Sequence, residues 1–444
     1  MKDIDSNKMG LFALILVTAS NMMGSGVFLL PTNMGKIGPV SVWGWAATII
    51  GCACLALVFV KTNFLNPKVG GIVAFANDAF GDFVGFQTGL CYWFMSWIGN
   101  VGVLVAGVAY LSYFFPILKD PTYSAILCIV FLWGFIALAS LGAKVAGSTQ
   151  SFTAICMLIV VLGVGIFGWF WFRPEVYGEV YNATGDSDGS AIMSAASIAL
   201  WGFLGIEGAV VACGQVKNPE RNVPIATVVG LLIAATCYVS SCVVIMGLVP
   251  HNLLANSPAP FADAAKYMLG DWAGNIVSAL SVIACLGTMC GWLILQSEGP
   301  RAAANAGIFP KFFGETNKND VPMKSLVFTG ILMTIVFFMT MSPNASEQFK
   351  ILILMSVYAC LVPYIYAVIA LPITMIAKGK SKSKSFYGYL FLTAVALIYC
   401  LFAMLGSGTD TLFWGCLLLQ ITIPLYSYVA KRKKERGEVI LLNQ

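Results

Sequence analysis

Trp201-Gly202-Phe203-Leu204-Gly205-Ile206-Glu207 lies inside a long apolar run over 191–213 and reads as a helix that stops partway. Glycines such as Gly202 and Gly205 each cost roughly 1 kcal/mol in a helix interior. A carboxyl inside a hydrophobic run is expensive, and by default it is a functional candidate. A second interrupted run, over 11–33, contains Asn21-Met22-Met23-Gly24-Ser25-Gly26. Backbone groups freed at such breaks cannot face lipid. They persist where they line a cavity: half-helix N-termini there suit anionic groups, and freed carbonyls suit cations. Each motif alone also fits close helix packing through small residues. Together they interrupt the first and sixth runs. An offset of five helices sets the two halves in opposite topology, as in an inverted repeat. That repeat rests on position, since the halves share no evident sequence identity.

The rest of the chain agrees with a membrane reading. Of 444 residues, 59% are apolar and 10% charged, against about a quarter charged in a soluble protein; mean hydropathy is +0.85. Apolar runs fall near 11–33, 40–60, 84–112, 123–142, 150–172, 191–213, 224–248, 274–298, 325–341, 350–375, 386–406 and 411–430. At ~20 residues per span, twelve would take about 240 residues. The expected fold is an all-α polytopic membrane protein of twelve transmembrane helices, a single transporter domain over 1–444. Its first five-helix repeat would cover 10–172, an inverted second repeat 190–375, and two peripheral helices 386–430. Lys2 and Lys8 precede the first run as in a signal peptide, but no small-residue cleavage site follows, so it is read as a span.

Composition also excludes functions. His251 is the single histidine, too little for a His-ligated metal centre or a Ser-His-Asp hydrolase. The 13 cysteines are scattered, and Cys52-Ala53-Cys54 lies in an apolar run where packing is the expected role. No metal, cofactor or nucleic acid is implied. The net charge of +5 is distributed by topology. With both termini cytoplasmic, all of the 25 Lys and Arg except Lys36, Lys119, Arg173, Lys266 and Lys350 fall inside, as the positive-inside rule requires. The basic clusters 378–384 and 431–436 are read as topology determinants, with lipid or partner binding as the alternative.

Of the 20 acids, Glu207 alone falls within a span. It is either part of a site that handles a cation or a locally hydrogen-bonded carboxyl that only packs. In the third span Tyr92, Ser96, Asn100 and Val103 recur on one helical face, bordered by Met95. Trp292 and Ser356 sit within apolar stretches rather than at their ends, and Trp292 fits packing and binding equally well. Trp201 and Trp292 offer faces suited to an ammonium or guanidinium. These residues point to a transporter of something cationic.

Asn21-Met22-Met23-Gly24-Ser25-Gly26 with Leu30-Pro31 resembles the first helix of amino acid–polyamine–organocation transporters, and Trp201–Glu207 resembles their sixth. Val216-Lys217-Asn218-Pro219-Glu220-Arg221-Asn222-Val223-Pro224-Ile225-Ala226 is similar to the loop that follows. The stretches Leu111–Pro121 and Gly168–Phe172 resemble the arginine/agmatine branch of the basic amino acid/polyamine antiporters in particular. The resemblance implies a homodimer in the inner membrane, in contact with the lipid bilayer, that exchanges an external basic amino acid for its decarboxylation product and supports acid resistance. Arginine and agmatine are the first expected pair; lysine/cadaverine, ornithine/putrescine and a proton-coupled importer are the alternatives.

It further implies that Ser25 and Gly26 meet the α-carboxylate, and that carbonyls around Trp201 and Leu204 take the α-ammonium. Trp201 would stack on the aliphatic body, and Ser96, Asn100, Trp292 and Ser356 would surround the distal cation. Tyr92, Glu207 and Phe349 would serve gating or proton-linked roles. Three positions depart from the arginine/agmatine pattern: Ser96 in place of Cys, Gly202 in place of Ser, and Met95 in place of Ala. Against the pattern that the resemblance implies, the bulkier Met95 would shorten the distal pocket and favour lysine or ornithine over arginine. Val73 stands where the family carries a tyrosine linked to pH sensing.

Overall fold

A computed structural model describes residues 9–66, 71–211, 216–305 and 309–435. In chain order its helices are α1 (Leu11–Met22), α2 (Leu30–Gly35), α3 (Ser41–Leu65), α4 (Gly71–Phe80), α5 (Asp82–Leu111) and α6 (Pro121–Ala139). There follow α7 (Ala143–Leu162), α8 (Pro174–Tyr177), α9 (Asp188–Trp201), α10 (Gly208–Val211), α11 (Pro219–Leu248) and α12 (His251–Leu254). The last are α13 (Pro260–Leu269), α14 (Asp271–Asn305), α15 (Met323–Met339), α16 (Ala345–Ala377), α17 (Lys384–Gly406) and α18 (Thr409–Glu435). Among the described residues there is no β-strand; Met9 and Val216 form one isolated bridge.

Nine helices among the described residues are long and apolar enough to cross a membrane, and α15 is a shorter apolar helix. The two remaining apolar runs are the ones expected to break, and both are broken: α1 from α2, and α9 from α10. The chain is thus an all-α polytopic membrane protein. Local chemistry sets several boundaries. Asp120 caps α6 by accepting from the Thr122 N–H at 2.8 Å, with Pro121 at the first helical position. Asn344 and Ser383 cap α16 and α17 in the same way. The run expected over 150–172 is not uniform. α7 passes into a π-helical turn at Gly163–Phe167 and a 3-10 turn at Gly168–Trp171. The carbonyl of Gly165 is met by the Ser240 hydroxyl at 2.5 Å, as such turns require.

The most buried spans are α5 and α16, which pack along each other; α18 is the least buried. The outer helix α18 is nonetheless tied inward. Gln87 donates from Nε2 to Thr422 Oγ1 at 2.9 Å and accepts from the Tyr366 hydroxyl at 2.9 Å. The short helix α4, outside the expected spans, packs on α5 and α16. It places Val73 beside Gly89 of α5.

Candidate functional site

At the first break, Met23 N–H still reaches Ala19 O, but Gly24 turns to extended backbone (φ −75, ψ 171) and helicity resumes as a 3-10 turn at Ser25–Leu29. The first N–H groups of that turn, those of Ser25 and Gly26, have no intrahelical acceptor by construction. The side chains of Asn21 and Ser25 lie outside the described residues. Two tyrosines hold the break from outside. Tyr238 donates its hydroxyl to Met22 O at 2.8 Å, and Tyr110 donates to Phe28 O at 2.9 Å. Tyr238 is fixed in turn by stacking on Trp45, with centroids 5.8 Å apart.

The second break runs from Gly202 to Glu207 as loose i→i+3 turns, such as Leu204 N to Trp201 O at 3.4 Å. Gly205 takes φ +98, a value that a residue with a Cβ rarely adopts. This is why a glycine stands there. Trp201, at the end of α9, reaches across to the first break. A Cβ on Gly26 would overlap its indole, and one on Gly99 of α5 would sit 2.7 Å from Trp201 Cη2. The ring is therefore seated between two glycines. Phe349 of α16 meets it edge-on, with centroids 6.5 Å apart.

Both breaks open on one cavity of ≈ 60 Å³. Gly24, Gly26 and Val27 come from the first break, Trp201, Gly202 and Leu204 from the second. Helix α5 adds Met95, Ser96, Gly99, Asn100 and Val103, and α14 adds Trp292. The volume is far below the roughly 300–1,000 Å³ of a small-molecule pocket. Trp201, seated against Gly26 and Gly99, fills part of the space between the two breaks. Of the expected site residues, Gly26, Ser96, Asn100, Trp201, Leu204 and Trp292 line this cavity. Ser356 lies behind it, fully buried, with its hydroxyl donated to Met95 O at 2.7 Å.

Glu207 is set apart from the cavity and is 4% exposed. Its Oε1 accepts from the Tyr92 hydroxyl at 2.7 Å, and its Oε2 from the Tyr364 hydroxyl at 2.7 Å. Both oxygens are thus engaged by phenols from α5 and α16. Glu207 ties the second break to the two central helices instead of facing the cavity.

Four residues here escaped the sequence reading. Tyr110, Tyr238 and Tyr364 are buried phenols whose partners lie far away in sequence. Gln296, 3% exposed, accepts from Asn100 Nδ2 at 2.6 Å. A signal was available for it, an amide one helical turn after Trp292 at the end of the apolar stretch Trp292–Leu295.

A membrane helix bundle in which two unwound helices meet over a small cavity lined by amide, hydroxyl and indole groups defines a transporter of polar small molecules. The chain belongs to the amino acid permease family, which matches it over residues 9–417. It is 36% identical over 436 residues to a cadaverine/lysine antiporter of Escherichia coli (strain K12), covering 97% of this chain and 96% of that protein. It is 34% identical to a putrescine transporter of the same strain, covering 97% and 98%. A putrescine transporter of Haemophilus influenzae is 33% identical, covering 96% and 98%. The protein is thus a multi-pass inner-membrane transporter of the basic amino acid/polyamine antiporter family, and not an enzyme.

Proposed function

We propose that the protein exchanges an external basic amino acid for its internal decarboxylation product, with lysine and cadaverine as the preferred pair. The observation that carries this is the distal end of the cavity. Met95, Ser96, Asn100 and Trp292 line it, and the oxygens of Ser96 and Asn100 and the indole of Trp292 are neutral groups able to meet an ammonium. The similarity to a cadaverine/lysine antiporter supports the same pair. These relatives favour the lysine pair over arginine and agmatine, the pair first expected from the motifs. In this reading the N–H groups of Ser25 and Gly26 take the α-carboxylate, and the loosened carbonyls around Trp201 and Leu204 take the α-ammonium. Trp201 and Phe349 form the gate, and Ser356 backs the distal wall through the Met95 carbonyl. The two breaks are the pseudo-equivalent elements of the inverted repeats 10–172 and 190–375, both termini are cytoplasmic, and the working unit is a homodimer.

The charge balance gives such an exchanger its purpose. Lysine enters with net charge +1 and cadaverine leaves with +2, so one positive charge moves outward per cycle. That charge is worth ~2.3 kcal/mol per 100 mV. A cytosolic decarboxylation between the two steps consumes a proton. The test is uptake of labelled lysine, ornithine and arginine into proteoliposomes that are empty or preloaded with cadaverine, putrescine or agmatine. Lysine uptake fastest into cadaverine-loaded vesicles is the expected result. A fastest rate with ornithine and putrescine would transfer the assignment to that pair, which the putrescine transporters also resemble. Equal uptake into empty vesicles would remove obligatory exchange.

A further inference from the structure

The Asn100–Gln296 pair joins α5 to α14 at the edge of the cavity, and the chain of amides has a direction. Gln296 Nε2 faces Met333 Sδ of α15 at 4.0 Å. A thioether has no proton to give, so the amide nitrogen is the end of Gln296 that belongs there. Gln296 Oε1 is thereby turned towards Asn100, which must present Nδ2 to it, at 2.6 Å. With Nδ2 held on Gln296, Asn100 keeps its carbonyl oxygen free of that bond, on a residue that lines the cavity. Ser96, one turn earlier on α5, is directed in a similar way. Its proton goes to Trp93 O at 2.7 Å, which leaves lone pairs for a ligand. Trp292, one turn before Gln296 on α14, lines the cavity as well, and an indole ring can attract a cation.

Resting on the exchange reading above, we propose that Gln296 is the positioning residue that fixes the Asn100 amide so that its carbonyl oxygen serves the distal end of the cavity as an acceptor. It thereby selects substrates that end in a cation over amino acids of the same length that end in a methyl or an amide. Gln296 touches no substrate. Without its Oε1, the hydrogen bond that orients the Asn100 amide is lost, and the amide can turn. A donor then faces the incoming ammonium for part of the time.

The experiment compares Gln296→Met, which keeps length and removes the acceptor, with Gln296→Glu, which keeps an acceptor facing Asn100. Uptake into diamine-loaded proteoliposomes is measured with whichever of lysine, ornithine or arginine the unaltered protein takes up fastest, and norleucine serves as the neutral competitor. Gln296→Met should raise KM for the cation about tenfold, the scale of one hydrogen bond to a charged group. It should leave kcat within about threefold and narrow the preference over norleucine. Gln296→Glu should hold KM at or below that of the unaltered protein. An unchanged KM in Gln296→Met, or a matching defect in both variants, would overturn the proposal. A fall in kcat alone would reduce Gln296 to a packing role and overturn it as well. The behaviour of the unaltered protein reads the exchange assignment separately: if it takes up no basic amino acid, that assignment fails and this proposal fails with it.

Discussion

Tyr364 donates its phenol proton to Glu207 Oε2 at 2.7 Å, deep between α16 and the unwound end of α9. With Tyr92 on the other oxygen, the carboxylate joins three segments that must shift against one another if the cavity is to open. Glu207→Gln keeps the shape but has one acceptor oxygen where two phenols donate, so one hydrogen bond must reverse. Exchange should fall about tenfold or more, consistent with one charge-assisted hydrogen bond weakened in the moving state, while expression and dimension on size exclusion stay normal. Normal transport with an unchanged pH profile would remove Glu207 from the mechanism and leave it a packing group.

Tyr364→Phe separates the tie from the charge. It strips one donor from a buried carboxylate, a change that costs about 1–3 kcal/mol where nothing replaces it. Tyr364→Phe should therefore lower the apparent Tm of the purified protein more than Tyr92→Phe, because Tyr364 is fully buried and packed on Phe59, whereas Tyr92 is partly buried. Equal shifts in both would mean that the carboxylate draws on solvent instead.

The two breaks were legible because glycines leave a mark on an apolar helix. Gly24 and Gly26 in one run, and Gly202 and Gly205 in the other, are residues a continuous span does not choose. The shared face of α5 was legible from its helical spacing, and Ser96, Asn100 and Val103 do share a wall. Pairing across helices was not legible. Nothing near Glu207 in sequence indicates Tyr364, and nothing near Met22 indicates Tyr238; both partners come from spans whose rotation is set by packing alone. The solitary acid was read as part of a cation-handling site or as a locally hydrogen-bonded carboxyl, and each of its oxygens accepts from a phenol. Isolation in sequence signals that a charge must be satisfied, without saying by whom.

Tyr238 offers a check on the first break. Its hydroxyl meets the Met22 carbonyl at 2.8 Å, an oxygen that also accepts from the Gly24 N–H at 2.8 Å as the chain turns out of the helix. Tyr238→Phe keeps the stacking on Trp45 and deletes only this bond. Membrane hydrogen bonds average about 0.6 kcal/mol, so folding should survive with a small drop in apparent Tm. Exchange should change more than stability does, because the break is a moving part. A large loss of folded protein with normal specific activity would assign Tyr238 to the scaffold.

Asp263, in α13 outside the spans, predicts a pH dependence. Burial holds its carboxyl above the usual carboxylate range, and the Ser257 hydroxyl at 2.5 Å, Lys266 and Lys119 draw it back only in part. The folded state therefore keeps this proton at a pH where the unfolded chain has released it. Stability falls as pH rises from about 4 through the raised value and is level above it. The loop concerned holds the first break, since Thr32 donates to Ser257 O at 2.9 Å. Asp263→Asn should flatten this part of the dependence of apparent Tm on pH. Parallel curves for the two proteins would show that Asp263 does not titrate in this window.

The seat of Trp201 yields the last test. Gly26 and Gly99 leave no room for a Cβ beside the indole, so Gly26→Ala must expel the ring from where it lies. If the seated ring is the closed gate, Gly26→Ala should hold the site open: exchange should drop at least about tenfold while substrate still binds. Trp201→Leu removes the obstacle, so the double variant should recover the apparent Tm lost in Gly26→Ala. That recovery is a coupling of the kind residues in contact display. It should not recover exchange, because the gate is then missing altogether. If the two substitutions add in their effect on Tm, Gly26 and Trp201 do not meet in the populated state, and the gate must be sought at Phe349, which meets the ring from the other side at 6.5 Å.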